Sequence, residues 1–154
     1  MLDKIDRQII ALLQQNAHLT NAEIGQQINL SKTPVHERIK RLEREGYIDR
    51  YVALVSRRKL GNLLTVYCQV SLDKQNRDTF AHFNEIVRTL PEVLECNLVS
   101  GSFDYLVKVI VRDMDHYNRF YQEEFSVIAG VQHISSFFVM DEVKNTTAVP
   151  VALT

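Results

Sequence analysis

Residues 30–48, LSKTPVHERIKRLEREGYI, carry the densest set of side chains suited to recognising a charged polymer. Read as a helix at about 100° per residue, the stretch puts Val35, Ile39 and Leu42 on one face. Thr33, His36, Glu37, Lys40, Arg41 and Arg44 fall on the other. Long cationic side chains at that spacing can pair with phosphates, and shorter polar ones beside them can reach base edges. Lys32, Arg41 and Arg44 are therefore assigned to phosphate, and Thr33, His36 and Lys40 to bases. A basic amphipathic helix by itself would serve equally as a solvated surface, so the assignment depends on what stands before it.

No comparable set suits catalysis. His18, His36, His82, His116 and His133 form no H-x-H or H-E-x-x-H pair, and no nucleophile has a sequence-evident base. Cys68 and Cys96 lie in apolar, strand-like runs without C-x-x-C spacing, so buried reduced thiols are expected in place of a disulfide or a metal pair. Neither an enzyme activity nor a metal or cofactor is expected.

The recognition stretch needs elements to hold it. Ser31 or Thr33 can cap its start with Pro34 in the first turn, and Gly46 can end it. Just upstream, Thr20 and Glu23 form a T-x-x-E capping box opening a short helix in TNAEIGQQI, with Ile24 and Ile28 four apart. That helix is too short to stand alone. A short helix, a tight link at 29–31 and a longer basic helix make a helix-turn-helix over 21–40, whose second helix enters a DNA major groove. Ahead of it, Asp3 can cap LDKIDRQIIALLQQN, where Leu2, Ile5, Ile9, Leu12 and Leu13 recur at helical spacing. After it, Ile48, Tyr51, Val52 and Leu54 suit a short strand or wing.

Composition supports two small folded parts. The chain has 154 residues, 45% of them hydrophobic, enough for real cores. No apolar run approaches a membrane span and no signal-peptide layout opens the chain, so a cytoplasmic location without membrane contact is expected. The net charge of -1 hides a polarity. Residues 1–60 carry 11 Lys and Arg against 7 Asp and Glu, whereas the rest carry 7 against 12. A basic first half can attract phosphates while an acidic second half discourages indiscriminate coating of DNA. RRKLGNL at 57–63 breaks the pattern, and the domain boundary is placed there: 1–60 for the DNA-binding head and 61–154 for the remainder.

In that remainder the period changes. LLTVYCQVSL alternates, with Leu64, Val66, Cys68, Val70 and Leu72 on one face. A helix marked by Phe80, Phe83, Val87 and Leu90 stops at Pro91, and strands follow in VLECNLVS and YLVKVIV across a turn at 101–104. Asp113 can cap a helix with Tyr117, Phe120, Tyr121 and Phe125, and VQHISSFFVMDEV supplies a last strand. The order βαββαβ gives an antiparallel four-stranded sheet with both helices on one face, the ferredoxin-like arrangement. The fold class is α+β, a winged helix-turn-helix followed by a ferredoxin-like sandwich. The uncovered sheet face, with Tyr67, Val93, Val99 and Phe137, is expected to pair with a second copy as a homodimer.

Together, SKTPVHERIKRLEREGYI, ECNLVSGSFDYLVKV and SSFFVMDEVK resemble the Lrp/AsnC family of bacterial and archaeal transcriptional regulators over nearly the whole chain. The resemblance implies a winged DNA-binding head joined to an amino-acid-sensing domain that assembles into dimers, tetramers or octamers. It implies an effector held between subunits near a G-x-x-D-Y turn, here Gly101, Asp104 and Tyr105, with Leu98, Ser100, Met114, Ser135, Ser136 and Phe137 around it. The chemistry of those positions is suitable. A free amino acid offers an ammonium for an acceptor such as Asp104, and a carboxylate for the backbone N–H groups that a Gly-containing turn exposes. Leu98, Met114 and Phe137 would accommodate an apolar side chain. By spacing alone a plain turn is the better account of Gly101 and Asp104, and only the resemblance favours an effector contact. Proteins of the same build also act as sirohaem decarboxylases, where His116 or His133 would contact tetrapyrrole, and a ligand-independent architectural DNA protein is a further alternative.

Overall fold

Asp3 and Asp6 start the first helix reciprocally: the Asp6 amide donates to Asp3 Oδ1 at 2.8 Å, and the Asp3 amide donates to Asp6 Oδ2 at 3.1 Å. The computed structural model describes residues 1–151, so the last three residues of the expected 61–154 domain lie outside the described residues. The chain divides into two compact units, Met1–Leu54 with the segment from Lys144 onward, and Val55–Val143.

In the first unit, α1 (Lys4–Gln15) is followed by α2 (Asn21–Ile28), which Thr20 and Glu23 cap as a second reciprocal box. The chain then reverses within three residues. Asn29 takes the left-handed conformation at φ 58°, and the Leu30 amide donates to the Gly25 carbonyl at 2.9 Å. Gly25 is required there, because a Cβ on it would sit 2.4 Å from the Leu30 carbonyl oxygen. The third helix, α3 (Lys32–Arg44), begins with Ser31 at the cap position but without a side-chain cap bond. Thr33 lies inside the helix, which corrects its reading as a cap. Gly46, at φ 76°, lets the Tyr47 amide return to the Leu42 carbonyl. Ile9, Ile24, Val35 and Leu42 are fully buried between the helices, with Ile28 and Ile39 beside them.

Residues 49–56 form neither helix nor strand. The strand expected from Val52 and Leu54 does not form, because no second strand among the described residues of this unit offers its edge, and both side chains remain exposed. Tyr51 is held instead by its hydroxyl, which donates to Glu43 Oε1 at 3.1 Å. The carboxy-terminal segment is bound by one side chain of α1: Gln14 Nε2 donates to the Val149 carbonyl and its Oε1 accepts from the Val149 amide.

The second unit is built on β1 (Leu64–Leu72), α4 (Arg77–Val87), β2 (Val93–Leu98), β3 (Tyr105–Val111), α5 (Met114–Phe120) and β4 (Val131–Phe138). The strands lie in the order β2-β3-β1-β4, every neighbouring pair antiparallel. Val66, Cys68, Val70 and Leu72 of β1 join Tyr105, Val107, Val109 and Val111 of β3 and Phe83, Val87, Tyr117, Phe120 and Phe125 of the helical layer in one core. Asn76 and Asp113 cap the two helices. Beyond Phe120 the helix widens into a π-turn at Tyr121–Phe125, which lets Phe125, five residues on, stack on Phe120 at 5.2 Å. Val93 packs into this core opposite Val109, so it belongs to the helix side, a correction to its place on the uncovered face. Arg57, within the stretch where the sequence places the domain boundary, donates to Thr65 Oγ1 at 3.0 Å and pairs with Glu142, tying the two ends of this unit together.

Candidate nucleic-acid interface and effector turn

On α3 the buried triad Val35, Ile39 and Leu42 fixes which side chains face outward. Lys32, Thr33, His36, Lys40 and Arg44 are all exposed, with Glu37 among them. His36 is oriented further: its Nδ1 lies 3.1 Å from Nδ2 of Asn21 on α2. An amide nitrogen only donates, so Nδ1 accepts and Nε2 carries the outward N–H, a donor suited to purine acceptors in a major groove. Lys40 pairs with Glu43 at 3.0 Å but is 61% exposed, so it exchanges this partner readily. That lysine, and secondarily the Tyr51 hydroxyl, hold the Glu43 carboxyl below its ordinary range, while burial and then Glu43 push the Tyr51 phenol up.

Arg41 is placed differently from the other five. Its Nη2 lies 2.5 Å from Oδ2 of Asp6, a fully buried carboxylate, and Arg38 Nη1 lies 2.7 Å from the other oxygen and 2.6 Å from Asp3. Hydrogen bonds to Asp3 and Asp6 raise the Arg38 guanidinium further above its usual range. Arg41 thus faces α1 as well as solvent. Arg38, Asp6 and Asn21 were not singled out from the sequence. Their signal was there: two acids three apart at the start of α1 match two arginines three apart on α3.

In the sensor-like unit the turn of residues 99–104 joins β2 to β3. Its amides are organised by Asp104, whose N–H donates to the Val70 carbonyl and whose carbonyl accepts from Val99. The Asp104 side chain is 7% exposed: Oδ2 accepts from the Leu72 amide at 2.7 Å and Oδ1 from Gln75 Nε2 at 2.8 Å. Ser100 and Gly101 are exposed, Gly101 at φ 157°, a conformation that L side chains rarely adopt. Tyr105 is buried and Leu98, its partner across the β2–β3 pair, is exposed.

The nine residues expected around an effector are not gathered in one place. Leu98, Ser100, Gly101, Asp104 and Tyr105 lie at the end of the sheet where Val70 pairs with Tyr105. Met114 follows β3 at the opposite end, and Phe137 pairs with Tyr67 on the way toward it. Ser135 and Phe137 share the uncovered face with Tyr67, whereas Ser136 lies opposite Cys68 on the helix side. There its hydroxyl is 2.5 Å from that of Tyr117, which in turn is 3.6 Å from Cys68 Sγ. Burial pushes the Cys68 and Tyr117 groups up. Both cysteines are free, and β3 separates their strands. The His116 ring takes the Arg112 amide on Nδ1 and meets Glu92 through Nε2, and His133 meets Ser135.

Comparison with known proteins matches residues 2–49 to a winged helix-turn-helix DNA-binding family and residues 65–149 to the Lrp/AsnC ligand binding domain. Leucine-responsive regulatory proteins of Klebsiella pneumoniae and Escherichia coli K12 are each 41% identical over 145 residues, covering 94% of this chain and 88% of theirs. Among solved structures, a transcriptional regulator of Neisseria meningitidis in complex with L-Met superposes with a TM-score of 0.93 at 36% identity, over 98% of this chain and 97% of that one. An AsnC family regulator of Agrobacterium tumefaciens gives 0.93 at 34% identity, over 99% of both.

Proposed function

The chain belongs to the Lrp/AsnC family of DNA-binding transcriptional regulators, and from that premise we propose that it acts in the cytoplasm as a homo-oligomer on pseudo-palindromic DNA. A free, non-polar amino acid bound to its ligand-binding domain alters its assembly or its hold on DNA. Two α3 helices of a dimer enter major grooves about 34 Å apart. Lys32 and Arg44 neutralise phosphates, Thr33, His36 and Lys40 meet base edges, and Arg41 contributes secondarily.

The observation that carries this reading is the exposed row Lys32, Thr33 and His36 at the start of α3, presented by a turn that Gly25 and Asn29 make rigid. For the effector, the leucine-responsive relatives and the L-Met complex of a neighbour favour an apolar side chain. Leu98, Met114 and Phe137 are exposed and could receive one. Because the nine candidate residues are spread along one sheet from the 99–104 turn to Met114, a site completed between copies is the arrangement they support. Coupling follows if effector binding favours one subunit geometry over another.

The reading is tested by fluorescence anisotropy of the full chain on a genomic operator library, with and without each free amino acid, paired with light scattering. An amino acid that shifts both affinity and mass supports it. Sequence-specific DNA binding that no amino acid alters would establish the architectural alternative. One observation favours that alternative: both Asp104 oxygens are already engaged by the protein.

A further inference from the structure

On the helix side of the sheet, the end of α4 and strands β2 and β3 form a pocket of about 270 Å³ lined by Asn84, Val87, Arg88, Cys96, Leu98 and Tyr105. Tyr105 is 2% exposed, yet its hydroxyl has no hydrogen-bond partner among the described residues. The Asn84 side chain stands beside it without closing that bond. A buried hydroxyl in this state forfeits its hydration with nothing in return, which a polar atom supplied from outside would restore. The Cys96 thiol, pushed up to about 11 by burial, remains a neutral weak donor. Val87 and Leu98 give the pocket an apolar wall.

The charges select the ligand class. Arg88 is exposed and makes no ion pair among the described residues, so a cation borders the pocket unopposed. None of the six lining residues is an acid, so nothing in the pocket accepts from an ammonium. We propose that this pocket binds a small carboxylic acid that carries an oxygen acceptor and no ammonium, of which 2-oxo acids are the simplest. Its carboxylate pairs with Arg88, its acceptor oxygen takes the Tyr105 hydroxyl and the Asn84 amide, and its alkyl chain lies on Val87 and Leu98. The volume suits a molecule of metabolite size. Leu98 and Tyr105 are shared with the residues expected around an amino-acid effector, whereas Asn84, Val87, Arg88 and Cys96 are not. The pocket would let the same chain answer to an amino acid and to its deaminated counterpart.

The test is calorimetric titration of the full chain with 4-methyl-2-oxopentanoate and, separately, with leucine. The oxo acid is expected to bind, and Arg88→Leu and Tyr105→Phe are each expected to weaken it about tenfold, the usual scale for a charge-assisted or buried hydrogen bond. Arg88 is a surface residue, so its variant folds, and Phe fills the Tyr105 core position without losing a bond. Any leucine response should survive in Arg88→Leu. No binding of the oxo acid to the folded protein, equal affinity in both variants and the parent, or equal loss of leucine and oxo-acid binding in Arg88→Leu would each overturn the assignment.

Discussion

Arg41 on the recognition helix and Asp6 on α1 are joined at 2.5 Å, and the carboxylate that joins them is fully buried while the arginine side chain is 37% exposed. The same carboxylate takes Arg38 on its other oxygen and closes the α1 capping box. One acid therefore sets the helix start and its pose against α3. Asp6→Asn keeps the shape but loses the charge. It should cost about 1.5–3 kcal/mol, the range for charged hydrogen bonds, read as a fall in the urea midpoint of the head's helical signal.

The same pairing divides the cations of α3. Removing one cation that neutralises a phosphate should flatten the salt dependence of DNA binding by about one unit in log–log slope. Lys32→Ala and Arg44→Ala are expected to do so across all sequences. Arg41→Ala should leave the slope nearly unchanged and lower stability instead, because its charge is spent on Asp6. Anisotropy titrations over a range of salt concentrations separate the two outcomes; equal slope changes in all three variants would return Arg41 to the phosphate set.

Gly25 leaves no room for a side chain. With a Cβ 2.4 Å from the Leu30 carbonyl oxygen, Gly25→Ala must open the turn between α2 and α3. A loss of about 1–3 kcal/mol is expected, as for overpacked sites, with specific DNA binding lost before the fold. Asn29→Gly, at φ 58°, relieves a left-handed asparagine and should be tolerated. Thermal midpoints of the two variants should move in different directions or by clearly different amounts.

What the sequence made legible was local. Thr20 and Glu23, Asp3 and Asp113 announce their helices because a cap bonds to an amide two or three residues away. The alternation through Leu64–Leu72 announces its face because strand periodicity is short. What it concealed was distant. Asp6 meets Arg41 across 35 residues and Asp104 meets Leu72 across 32, and no window of periodicity spans such pairs. The π-turn at Tyr121–Phe125 was hidden for another reason: one extra residue per turn leaves the aromatic spacing looking helical. At the 99–104 turn, residue type suggested an available acceptor, and the fold uses Asp104 to accept from the Leu72 amide and Gln75.

The head should be acid-labile. Asp3 is held below its ordinary 3.8 first by the Asp6 amide and then by Arg38, Glu23 below 4.5 by the Thr20 amide and hydroxyl, and Glu43 below 4.5 chiefly by Lys40. Depressed folded values mean that the unfolded chain takes up these protons first as pH falls. Their contribution is complete above the ordinary values and drains away below them, between about pH 5 and pH 3. Urea midpoints should fall through that window, and the double variant Asp3→Asn, Glu23→Gln should start lower and fall less.

Asp104 distinguishes a turn that builds a site from a residue that contacts an effector. Its two oxygens fasten the β2–β3 turn to the end of β1 and to Gln75. Asp104→Ala leaves the Leu72 amide buried without an acceptor, so a loss of about 1.5–3 kcal/mol is expected in the ligand-binding unit even with no effector present. Asp104→Asn keeps one acceptor oxygen and should restore most of that stability. If the carboxylate works through the turn, effector affinity in the two variants will follow their stability, with Asn near the parent. If it meets an ammonium directly, Asn will be as stable as the parent and yet lose affinity by tenfold or so, the cost of a missing charge. Calorimetry of the parent and both variants, beside their thermal midpoints, decides between a structural and a contacting carboxylate, and the first outcome is expected because neither oxygen faces outward unengaged.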